Sequence, residues 1–73
     1  MDATKTFHHQ NYELQCSARL GDSGQFVPSL VVSKQVWPTR PRVIAMRRGD
    51  YTTEALAIEA ARAQGVEWIL NYG

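Results

Sequence analysis

In VWPTRPR, residues 36 to 42, Trp37 is followed by Arg40 and Arg42, and RVIAMRR then adds Arg47 and Arg48. These residue types can do recognition chemistry. Guanidinium groups hold phosphates, and an indole stacks on a base or on a partner's aromatic ring. The plainer reading of the same residues is solvated arginines on a loop and at an outer strand end. The two predict different salt responses, because counterion release makes phosphate binding fall steeply as salt rises.

Other chemistry is thinly supplied. His8-His9 could begin a metal site, but zinc needs four ligands at matching spacings, and only Glu13 and Cys16 lie nearby. The pair is read instead as a polar lead into the first strand, and no metal and no cofactor is expected. Cys16 with a histidine would make a nucleophile and base only if the thiol were exposed and oriented. The carboxylates Asp2, Glu13, Asp22, Asp50, Glu54, Glu59 and Glu67 fall on turns, a wet strand side and outer helix positions, so none is desolvated for acid or base work. No glycine-rich turn joins a strand to a helix in the manner of a phosphate loop. The expectation is a non-enzymatic protein.

The elements that must position these residues begin with YELQCSARL. Tyr12, Leu14, Cys16, Ala18 and Leu20 alternate with Glu13, Gln15, Ser17 and Arg19, which predicts a strand with one covered and one wet face. Cys16 lies on the covered side. Gly21-Asp22-Ser23-Gly24 predicts a tight hairpin into a second strand within residues 25 to 35. There Pro28 calls for an edge position or a bulge, because it has no N–H to donate to a ladder. Phe26 and Leu30 oppose Val27 and Val31, so one face of the sheet meets a helix and the other meets something else. Two prolines make residues 36 to 42 a protruding loop. Residues 42 to 48 form a third strand, with Val43 and Ala45 opposing Ile44 and Met46, and Gly49-Asp50 turns the chain.

Residues 51 to 71 read as a helix, with Thr52 as N-cap, Glu54 at its positive end and Tyr51 stapled onto Leu56. At 100° per residue, Ala57, Ile58, Ala61, Gly65, Trp68 and Ile69 share the face laid on the sheet. Gly65 lets backbones approach there. A competing reading ends the helix at Gly65 and makes residues 66 to 70 a fourth strand, since an internal glycine costs roughly 1 kcal/mol against alanine. Leu56, Ala63, Val66 and Leu70 fall on a second face that one small sheet cannot also cover. A homodimer built on Leu56, Val66 and Leu70 is the expected cover.

Composition sets the frame. A chain of 73 residues has room for one domain with a thin core, and 44% hydrophobic with 21% charged residues is ordinary for a globular protein. A net charge of +1 favours neither nucleic acid nor an anionic membrane as partner for the whole chain. One cysteine excludes an intrachain disulfide and suits a reducing cytoplasm. The N-terminus has no signal-like apolar run and no stretch is long enough to span a membrane, so a cytoplasmic protein without membrane contact is expected. Together these predict an α+β domain over 1–73, a three-stranded antiparallel meander packed against one C-terminal helix.

Two resemblances attach to these residues. Gly24-Gln25-Phe26-Val27-Pro28, Thr53-Glu54-Ala55 and Gly65-Val66-Glu67-Trp68-Ile69 resemble a pattern in short uncharacterised bacterial proteins with three strands and a C-terminal helix. That resemblance spans most of the chain, implies the fold and brings no catalytic residue. Asp22-Ser23-Gly24, Gly49-Asp50 and Glu54-Ala55-Leu56 are similar to the HicB type of antitoxin, which implies a toxin as protein partner. Tyr51 stands where that family has its capping threonine, and the family's Pro-Asp-Leu-Pro-Gly segment is absent after Val32.

Overall fold

The computed structural model describes residues 3–35, 40–47 and 49–72. Strands β1 (Ala3–His9), β2 (Tyr12–Leu20), β3 (Phe26–Lys34) and β4 (Arg42–Ile44) precede one helix, α1 (Glu54–Tyr72). The strands form one antiparallel sheet in chain order, and α1 lies across one face of it. This is the expected α+β arrangement of a helix on a meander, with one strand more than the sequence predicted. The extra strand is β1, so His8-His9 does not lead into the first strand but ends it.

Two hairpins set the register. His9 pairs with Tyr12, leaving Gln10 and Asn11 as a two-residue turn, and Gln10 takes a left-handed φ of 55°. In the second hairpin Gly24 N–H donates to the Gly21 carbonyl at 3.1 Å, and Gly21 N–H donates to Gln25 at 2.7 Å. Gly24 has φ 82°, so this is a type I turn closed by a left-handed glycine, as the Gly-Asp-Ser-Gly cluster predicts.

Pro28 sits inside β3, opposite Ala18, and its missing donor has a specific address. The N–H and C=O of Phe26 bond Tyr51 at 2.7 and 3.0 Å, so even-numbered donors of β3 point away from β2. Residues Leu30 to Val32 pair with β4 on that side. Pro28 therefore falls in the gap between the Tyr51 bridge and β4, an edge position within an otherwise inner strand.

The third predicted strand is shorter than expected. Only Arg42–Ile44 pairs with β3, and residues 45 to 47 leave the sheet toward α1. The alternation still holds, because Ile44 and Met46 pack against the core while Val43 and Ala45 are exposed.

The helix is continuous through Gly65 to Tyr72, which settles the competing readings. Its cap differs by one residue from expectation. Thr53 Oγ1 accepts from Leu56 N–H at 3.1 Å, so Thr53 rather than Thr52 supplies the N-terminal acceptor. Tyr51 is committed to its bridge with Phe26 and packs on the core, while Leu56 is 52% exposed, so the expected staple is replaced by a backbone pairing.

The core is one layer deep. Leu14, Cys16 and Ala18 from β2 and Leu30 and Val32 from β3 meet Ala57, Ile58, Ala61 and Ile69 from α1, all buried. A Cβ on Gly65 would come within 2.9 Å of a Leu14 methyl and 3.3 Å of a Leu30 methyl. Glycine therefore seats the helix backbone against leucine side chains, not against backbone as the sequence suggested. Trp68, placed on the same face by periodicity, is half-buried at the core's margin.

Candidate interaction surfaces

The predicted basic group is described only in part. Trp37 and Arg48 lie outside the described residues. Arg40 and Arg42 are exposed where the chain enters β4. Arg47, expected at the end of a strand, lies beyond β4 and is clasped to the helix. Its Nη1 and Nη2 donate to Glu67 Oε1 and Oε2 at 3.1 and 2.7 Å, a two-pronged ion pair. The Glu67 carboxylate also raises the Arg47 pKa further, so this guanidinium stays charged and engaged. Arg47 is thus a tie between the chain after β4 and α1, with its side chain still 67% exposed.

Gln64 completes the clasp. Its Nε2 donates to the Ala45 carbonyl at 2.7 Å, and its Oε1 accepts from Arg47 N–H at 3.2 Å. Both ends of one amide are used to hold residues 45 and 47 against α1. An open cleft beside this clasp is lined by Arg47, Gln64, Glu67, Trp68, Asn71 and Tyr72. Trp68 stacks at a tilt on Tyr72 with centroids 5.6 Å apart and meets Tyr12 edge-on at 6.3 Å. These aromatic contacts join β2 to the end of the helix. The Trp68 and Tyr72 spacing of four is a visible helical neighbour signal once the helix is carried past Asn71. The Arg47–Glu67 tie, between residues far apart in sequence, has no such signal.

The opposite flank of α1 carries a second charged cluster. Arg62 donates to Glu59 at 3.2 Å and stands 5.0 Å over the ring of Phe7 on β1. Between the two flanks runs the outer face. Leu56 is 52% and Leu70 74% exposed, and Ala63 between them is exposed as well. Val66, the third residue expected on a dimer surface, is half-buried and packs against the core instead. Tyr72 is 74% exposed, but it extends from the Trp68 side at the end of α1 and is not part of this face.

The sheet face away from α1 is mixed. Thr4 and Ser17 share a hydroxyl contact of 3.1 Å, and His8 approaches Glu13 at 3.6 Å across β1 and β2. Val43 is 83% exposed beside Val31. Among the described residues no three of His, Cys, Asp and Glu gather closely enough to hold a metal ion. Among the same residues no helix is long and apolar enough to cross a membrane. Comparison with known proteins found no matching family model, no matching curated sequence and no matching solved structure.

Proposed function

We propose that the protein is a small non-enzymatic binding module that self-associates through the outer face of α1. The observation that supports this is the exposure of Leu56 and Leu70 on a helix whose opposite face is already committed to the sheet. Apolar residues run around this helix instead of forming one stripe, the pattern of a helix covered on more than one side. Fully burying a leucine contributes about 1.5–3 kcal/mol, so most of that gain is still open at Leu70. Its single buried thiol suits a reducing compartment, and we place it in the cytoplasm on that ground.

Sedimentation velocity across a wide concentration range tests this. The expected result is a mass above 8.2 kDa that rises with concentration and returns to one chain in Leu56→Glu and Leu70→Glu. A single-chain mass at every concentration overturns the reading. A toxin-like protein partner is the alternative that the antitoxin resemblance implies.

A second reading rests on the exposure of Arg40 and Arg42. An anionic partner such as nucleic acid would bind there; Trp37 and Arg48, grouped with them in the sequence, lie outside the described residues. Binding that ignores salt, or survives Arg40→Ala with Arg42→Ala, counts against it.

A further inference from the structure

We infer that the occupant of the outer face of α1 is a second copy of this chain, laid antiparallel with a two-fold axis at Ala63. This rests on the self-association reading and specifies its geometry. Leu56, Ala63 and Leu70 recur at intervals of seven, so they drift by only ~20° per step and form a straight row about 21 Å long. The row reads the same in both directions. Reversal about Ala63 carries Leu56 onto Leu70, Ala60 onto Val66 and Glu59 onto Glu67. A two-fold contact presents the same patch from both partners and must be self-complementary, and an axis at Ala63 meets that by seating leucine on leucine and alanine on alanine. The alanine at the centre lets the helix axes come close, and each Leu56 meets the partner's Leu70.

Charge agrees with this occupant. Glu59 and Glu67 flank the row, and each is neutralised within its own chain, by Arg62 at 3.2 Å and by Arg47 at 2.7 Å. A second copy brings no uncompensated charge into the seam, whereas a strongly acidic or basic partner finds no counter-charge there. Antiparallel packing also sets the positive end of each helix dipole beside the negative end of the other; parallel packing sets like ends together. The row is short, and a helix pair alone buries less than the ~1,600 Å² of a standard interface, so the association is weak and concentration-dependent.

Cysteine crosslinking of the full chain tests the geometry, since Cys16 is buried and inert to mild oxidant. Ala63→Cys is expected to give covalent dimers at concentrations where sedimentation detects association. Leu56→Cys or Leu70→Cys alone should not, because off-axis cysteines lie beyond the ~7 Å Cα separation a disulfide allows, while an equal mixture of the two should. Crosslinking of Leu56→Cys alone and of Leu70→Cys alone overturns the antiparallel arrangement. A chain that sediments as a dimer but whose Ala63→Cys form stays uncrosslinked overturns the axis and leaves self-association standing. A chain that stays monomeric overturns both.

Discussion

Cys16 shows what a single side chain contributes here. It has no exposed surface, and burial pushes its thiol up to about 11, against a smaller lowering by Arg62 and a smaller raising by Glu59. The unfolded chain releases this proton near 9, so between those values the unfolded state binds fewer protons and stability falls as pH rises. Below pH 9 the contribution is fully present. At ~1.4 kcal/mol per pH unit, the loss reaches on the order of 2–3 kcal/mol by pH 11. Urea denaturation at rising pH checks this: Cys16→Ala should lack that part of the decline, and parallel curves for the two proteins would refute it. The inward placement of Cys16 was legible, because strict alternation assigns every residue of that strand to a face. The role of Arg47 was not. Its partner Glu67 is brought close only because residues 45 to 47 run against α1, and no local pattern encodes that path.

At the level of elements, the seating of α1 on the sheet depends on Gly65. Alanine there gains about 1 kcal/mol of helix propensity but drives a methyl to within 2.9 Å of the fully buried Leu14 side chain, which must shift. Overpacking of this kind costs roughly 1–3 kcal/mol, so Gly65→Ala is expected to lower stability by up to about 2 kcal/mol net. Combining it with Leu14→Val should recover part of that loss, and a double-mutant cycle with no favourable coupling would contradict the contact. The helix itself was readable from its periodicity, as was the glycine turn between β2 and β3. Strand β1 was missed for a physical reason. Its sequence ATKTFHH holds one large apolar residue, Phe7, and an edge strand can be held by backbone pairing to β2 without an apolar stripe of its own. The sequence points to Thr52 as the cap, and the neighbouring Thr53, with the same hydroxyl chemistry, is the residue whose oxygen reaches Leu56 N–H.

The whole molecule is a slab of 39 × 21 × 16 Å, two layers thick. Its order along the chain has a consequence. The sheet is assembled by neighbouring hairpins, whereas every core contact across the layers waits for α1, the last element. During synthesis at ~5–20 residues per second, the apolar row of Leu14, Cys16, Leu30 and Val32 is made seconds before anything exists to roof it. A chain ending before Glu54 should therefore bind a hydrophobic dye and aggregate, and adding α1 as a separate peptide should suppress both; a quiet, monomeric truncated sheet would refute this. Leu14 and Leu30 are thus the surface a ribosome-associated chaperone would meet, and the interval between the last strand and the first helical turn is when the newborn chain most needs one.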